Sequence, residues 1–296
     1  MFLDSYGRYV FFDGAMGTML QKKGLKKGER PDGMNLTVPD DVEEIHRLYV
    51  EAGSDIICTN TFGANASALE GTGFSPEDII TAGVAIARRA SSGAAKVALD
   101  MGPIGRLLEP VGELKYEKAY ELFKEQAVIG EKAGADLVAI ETMSDIVELK
   151  AAVLAVTENT SLPVFATMTF NKYGRTYMGY TPEDLAAAAQ QLGVCATGLN
   201  CSLEPSEMFE AVEGIAEATS LPIIIKPNAG LPDSATGSYG VDPIEFALQM
   251  VHLVKTVEIS ARQAAQNPDS TRRIIIGGCC GTTPNHIIEM RKVFKI

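Results

Sequence analysis

Eight short apolar, β-rich runs, each followed by a longer stretch rich in Ala, Glu and Leu, predict an α/β fold built as a single (β/α)8 barrel. The runs are continuously apolar, which suits parallel strands covered on both sides. Several are entered from a helix that ends in Gly-Ala or Gly-Ser, where the glycine closes the helix. Eight such units in 296 residues match the count and size of a TIM barrel. A doubly wound open sheet is the competing arrangement, but no G-x-G-x-x-G opens a helix after the first strand.

The first run is YVFFDGAMG (9–17), which leaves its apolar segment at Asp13 and Gly14. SDIICTNTFG (54–63) follows the helix end YVEAG and finishes at Asn60 and Thr61. KVALDMGP (96–103) ends at Asp100, and ADLVAIETM (135–143), entered through GEKAG, ends at Glu141 and Thr142. LPVFATMTF (162–170) ends at Thr169, and CATGLNCS (195–202) at Asn200 and Cys201. LPIIIKPNAG (221–230) reaches Asn228, and RRIIIGGCCG (272–281) runs into Cys279 and Cys280. No low-complexity linker divides the chain, so residues 1–296 are expected to form one domain. The polar approach KTVEISARQAAQNPDSTRR (255–273) reads as an extended helix and loop.

Composition narrows the function. The chain is 46% hydrophobic with net charge −12, which argues against a nucleic-acid partner. The basic run QKKGLKKGER (21–30) is soon balanced by acidic residues and reads as a solvated face. No apolar stretch is long enough to span a membrane, and the N-terminus lacks a signal-peptide pattern, so a cytoplasmic location is the expectation. Five cysteines, an odd and sparse set, read as reduced thiols.

In a barrel of this kind the carboxyl ends of the strands surround one mouth, and catalytic groups collect there. Three of the five cysteines, Cys201, Cys279 and Cys280, fall at the ends of runs six and eight. Adjacent cysteines within a strand point to opposite faces, and as small hydrophobes they need no function. The other reading brings the three thiolates together on one ion. Cys201 lies far from the pair in sequence, so the barrel, not a ribbon or finger spacing, would supply the proximity. Three soft thiolates suit Zn²⁺ and leave a fourth position for an exogenous group. His46, His252 and His286 are not at strand ends. Cys58 and Cys195 read as core. Lys226 invites a Schiff-base aldolase reading, and the glycines of IIIGGCCG a phosphate loop, but neither explains three cysteines.

The segments FFDGAMGTMLQ, GSDIICTNTFGAN, ADLVAIETMSDIVELKAA, GLNCS and GGCCGTTPNHI resemble the homocysteine S-methyltransferase family, and more closely its cobalamin-dependent methionine-forming barrels. The resemblance covers essentially the whole chain and departs from the pattern in the 255–273 segment. It implies a zinc site at the barrel mouth formed by Cys201, Cys279 and Cys280, with the homocysteine sulfur as fourth ligand and methionine as product. It also implies that Glu141 receives the substrate ammonium. Asp13 and Gly14 are expected to line the floor, and Thr61 and Phe62 to contact the substrate. Asn228 is the candidate oxygen ligand when substrate is absent, while Asp100 and Arg106 are placed near the donor-facing rim.

A free thiol has a pKa near ~8.5 and is mostly protonated at neutral pH, whereas a coordinated one ionises. The sulfur then needs an activated methyl group. Onium donors are usually held by aromatic cages, and the chain has no Trp and no evident aromatic cluster after its strands. Methylcobalamin supplied in trans by a separate corrinoid protein is therefore the expected donor, because the chain ends with the barrel. S-methylmethionine is the alternative donor. A non-catalytic barrel stapled by a structural zinc is the alternative of another class.

Overall fold

In each unit the β-branched run forms the strand and the Ala-rich stretch the helix. The strands are β1 (Tyr9–Phe11), β2 (Ile56–Cys58), β3 (Lys96–Met101), β4 (Leu137–Met143), β5 (Val164–Met168), β6 (Ala196–Asn200), β7 (Ile223–Lys226) and β8 (Ile274–Ile276). The computed structural model describes residues 2–26, 28–233, 237–265 and 272–294. All strand pairs are parallel, in the order β1-β8-β7-β6-β5-β4-β3-β2. The ring closes between the two ends of that order. Phe12 and Ile56 form a parallel bridge, Asp55 N donates to Phe11 O at 2.7 Å, and Asp13 N donates to Ile56 O at 3.1 Å. The expected (β/α)8 barrel is the observed fold.

Helix boundaries follow the predicted punctuation. Pro76–Ser91 begins with Pro after Ser75, whose side chain accepts from Asp78 N. Pro182–Leu192 begins with a capping box between Thr181 and Asp184. Tyr116–Ala133 ends at Gly134, whose φ of +98° is a left-handed conformation that a side chain would strain. The long approach to the last strand is helical over Pro243–Ala265, and residues 266–271 lie outside the described residues. No helix among the described residues is long and apolar enough to cross a membrane.

Strand alternation separates two apolar layers. Residues such as Ile57, Leu99, Val138, Leu199 and Ile225 pack outward against the helices. Val10, Phe12, Leu137, Phe165, Ala196 and Ile275 fill the barrel interior. The N-terminal turn Phe2–Ser5 closes the bottom. Leu3 is fully buried in the inner cluster, and the Phe2 ring meets Phe165 edge-on at 5.8 Å. Toward the carboxyl ends the same inward parity becomes polar, through Cys58, Asp100, Glu141, Asn200 and Lys226.

Gly198 stands at an inward position of β6, level with Ile224 of β7. A Cβ there would lie 1.9 Å from Ile224 O, so either the strands or the barrel would have to yield. Overpacking of this kind costs about 1–3 kcal/mol or more. Gly198→Ala should therefore lower unfolding free energy by about 2 kcal/mol in a denaturant titration. An unchanged midpoint and slope would show that β6 and β7 can separate freely.

Candidate metal centre and acid floor

Cys201 follows the last residue of β6 at a sharp turn. Its backbone N donates to Lys226 O at 3.0 Å, and Leu203 N donates back to Cys201 O at 2.7 Å. Cys201 and Ser202 take φ of +63° and +61°, a conformation that costs of order 1–3 kcal/mol outside glycine. Held this way, the Cys201 sulfur faces the end of β8. The β8 side reaches the same place by a different device. Gly277 and Gly278 let the chain lie against β1, because added Cβ atoms would meet Phe12 Cβ at 2.7 Å and Thr282 Oγ1 at 2.3 Å. Gly278 N donates to Asp13 O, and Cys279 N to Pro227 O at 2.7 Å.

Cys279 and Cys280 thus lie beyond the strand, where the two-face alternation no longer applies. Both sulfurs turn to Cys201, and the three stand within 4.8 Å of one another, with Cys201 and Cys280 at 3.9 Å. Three sulfurs held at 2.3 Å by one tetrahedral ion would stand about 3.8 Å apart. The donor set and its spacing fit Zn²⁺. A second observation points the same way: Asn228 Oδ1 is buried with no hydrogen-bond partner among the described residues, while its side chain hydrogen-bonds Cys201.

The sulfurs share charge unequally. Hydrogen bonds from Cys279 and then Cys280 bring the Cys201 thiol down to about 3. In return Cys279 is held well above the ordinary thiol range, chiefly by its hydrogen bond to Cys201. Cys280 is pushed up to about 11 for the same reason. Asn200, fixed by Thr142 N at 2.8 Å and Thr167 Oγ1 at 2.7 Å, points its amide toward Cys279.

Beneath the sulfurs a cavity of about 380 Å³ descends into the barrel. Its floor carries Asp13, Asp100, Glu141 and Lys226, each at most 9% exposed. Lys226 Nζ forms an ion pair with Glu141 Oε1, stands 3.8 Å from Cys58 Sγ and lies 4.4 Å from the Phe12 ring centre. Burial works against the Lys226 charge, but the Cys58 sulfur, Glu141 and Asp13 outweigh it. Asp13 Oδ2 accepts from Cys58 N at 2.8 Å. Burial raises Asp13 to about 7, although Lys226 opposes the rise. Burial, and next the Glu141 charge, hold Asp100 well above the carboxylate range.

Asp13, Gly14, Phe62, Glu141, Cys201, Cys279 and Cys280 all line this cavity. Thr61 does not. Its N donates to Thr59 O at 2.9 Å in a tight turn after β2, and its side chain turns to the helix side of the sheet, where its hydroxyl donates to Asp100 O at 2.8 Å. Asn60 and Phe62 take the cavity wall instead. Asn228 stands beside Cys201, outside the lining. Arg106 is exposed, whereas Asp100 is not at the rim but on the floor. Cys58, expected as plain core, is buried yet faces the cavity, and so does Lys226. Their signal was parity: Cys58 and Lys226 lie two residues beyond the inward-facing Ile56 and Ile224.

Residues 10–294 match the family model for homocysteine S-methyltransferase. The chain is 34% identical to methionine synthases of Mycobacterium leprae and Mycobacterium tuberculosis, over 96% of its own length. It spans only 24% of the length of those relatives. The fold resembles the metallated form of the homocysteine methyltransferase MmuM from Escherichia coli, with a TM-score of 0.79 over 98% of each chain at 22% identity. The apo form of that protein gives 0.73. With a family match that runs from the first strand to the last helix, this chain belongs to the homocysteine S-methyltransferase family.

Proposed function

We propose that residues 1–296 form a homocysteine-binding barrel that transfers a methyl group to the homocysteine thiol and yields methionine. The observation that carries this reading is the meeting of three sulfurs at the wall of an open cavity whose floor is acidic. Cys201, Cys279 and Cys280 would hold Zn²⁺. When bound, the metal supplies ionisation of the substrate thiol at neutral pH, and three cysteinate ligands leave that sulfur electron-rich. Because the sulfurs line a cavity instead of a sealed core, this arrangement favours catalysis over a structural staple.

The chain's own groups orient the amino acid. Asp13 and Glu141 offer carboxylate oxygens to the ammonium group, with Gly14 providing close backbone approach and Phe62 the apolar wall. Thr61 contributes indirectly, by pinning the backbone of Asp100. Asn228, whose side chain hydrogen-bonds Cys201 and whose Oδ1 has no partner among the described residues, would supply an oxygen ligand when substrate is absent. During transfer the thiol proton leaves, the sulfur–carbon bond forms, and the donor keeps the electron pair of its broken bond to the methyl group.

For the donor we take methylcobalamin carried by a corrinoid protein or domain outside these residues. Two observations support it: the methionine synthase relatives are about four times longer, and the mouth has exposed apolar side chains. Tyr173 and Tyr177, after β5, are 74% and 88% exposed, and Leu231 after β7 is 66% exposed. An apolar rim of this kind suits a large partner pressed against the opening.

Purified protein should contain close to one zinc per chain, and Cys201→Ser, Cys279→Ser or Cys280→Ser should each reduce it sharply. Full zinc in any one variant would remove that cysteine from the set. Zinc-edge absorption should gain one sulfur ligand when homocysteine is added; no change would favour the structural staple. Glu141→Gln should weaken homocysteine binding at least about tenfold, the lower end of what losing a buried charge partner costs, with zinc content retained. Incubation with homocysteine and each donor in turn should give methionine from protein-bound methylcobalamin. Methionine formed rapidly from S-methylmethionine alone would replace the donor assignment.

A further inference from the structure

The floor holds more acid than its own lysine neutralises. Asp13 just beyond β1, Asp100 on β3 and Glu141 on β4 face Lys226 on β7, with the Cys58 thiol of β2 beside Asp100 and Glu141. Lys226 is committed to Glu141, and Asp13 Oδ2 is committed to Cys58 N. Asp100 has its backbone fixed on both sides, its N donating to Thr59 Oγ1 at 3.1 Å and its O accepting from Thr61 Oγ1 at 2.8 Å. Its side chain enters the cavity, where Asp100 Oδ1 has no hydrogen-bond partner among the described residues. Asp13 Oδ1 is in the same condition. The carboxylate of Asp100 also lies within 4.8 Å of that of Glu141.

Two buried carboxyl groups this close cannot both stay charged without a cation between them. A buried acceptor left without a donor costs on the order of 1–3 kcal/mol. One entering group would relieve both conditions: a cation with several N–H donors. A primary ammonium has three.

We propose that Asp100 is a further substrate-binding residue, which receives the ammonium group of the amino-acid substrate on the side opposite Lys226 and so selects amino thiols over simple thiols. The proposal rests on the homocysteine reading. Lys226 remains the permanent cation of the floor and the substrate ammonium is the exchangeable one. Asp100 and Asp13 supply the oxygens left over, and Glu141 lies between the two cations.

The test uses the zinc-loaded full chain and binding calorimetry, with no methyl donor present. Homocysteine is compared with 4-mercaptobutanoate, which has the same carbon chain, thiol and carboxylate but lacks the amino group. The wild-type protein should prefer homocysteine, and Asp100→Asn should shrink that preference at least about tenfold, by weakening homocysteine and leaving 4-mercaptobutanoate within about twofold. Zinc content should not change. Because the substitution removes an acid from a crowded cluster, the melting temperature of the ligand-free variant should hold or rise, which a merely structural role would not produce. If the Asn variant does not fold, Asp100→Ser puts the same question with a smaller side chain. Undiminished preference for homocysteine in either folded variant would overturn the assignment, as would an equal loss of both ligands. A wild-type protein that binds 4-mercaptobutanoate as well as homocysteine also overturns it, while the thiol site stands. A wild type that binds neither thiol overturns the homocysteine reading and this assignment with it.

Discussion

Three sulfurs from two strands that are not neighbours must come within a few ångströms of one another, and the mouth is built around that requirement. β6 and β8 are held apart by β7, so their ends approach only because the sheet curves into a ring. The curvature is not enough. On the β6 side the chain accepts two left-handed residues, Cys201 and Ser202, to turn the sulfur across β7. On the β8 side it gives up side chains at Gly277 and Gly278 and lies flat on β1. Backbone bonds from Cys201 N to Lys226 O and from Cys279 N to Pro227 O tie both turns to β7. The strand between the cysteines is thus the template for their spacing.

The electrostatics divide by depth. At the wall, hydrogen bonds from Cys279 and Cys280 hold the Cys201 thiol well below its ordinary range, which suits a cation at the three sulfurs. Below, Lys226 faces three carboxyl groups at the buried floor of the cavity, beside Phe12 and the inner apolar layer. Asp13 titrates near neutrality there, at about 7, because desolvation exceeds the help it receives from Lys226. Below its ordinary carboxyl range folding gains nothing from this group; as pH rises past that range and toward about 7, its burial destabilises the ligand-free fold. An incoming cation offsets that cost, so the acids that burden the empty barrel favour a ligand with a cationic group.

The same barrel shape serves unrelated chemistries, so the fold alone says little about the reaction. What distinguishes this chain is the pairing of a soft, sulfur-rich wall with a hard, oxygen-rich floor in one cavity. An amino acid with a thiol end spans both. The exposed aromatic residues of the β5 loop lie at the same carboxyl-end face as the cavity.

The sequence by itself determined the architecture and the three cysteines. Eight apolar runs of strand length, separated by capped helices, allow few other arrangements, and cysteines at two carboxyl ends of a parallel barrel share one mouth wherever the loops go. Tertiary structure decided what each remaining polar group does. Thr61 shares the outward parity of Ile57 and turns away from the cavity, where its hydroxyl pairs with Thr59 Oγ1 and Asp100 O, partners that only the folded sheet supplies. Lys226 invites an aldolase reading and Cys58 reads as core until strand parity and the ring geometry place them beside Glu141. Asp100, assigned to the rim, faces the floor because β3 carries it inward between Thr59 and Thr61. Local patterns specify which face a residue takes, but which charges then meet depends on seven other strands, and only the closed barrel supplies that.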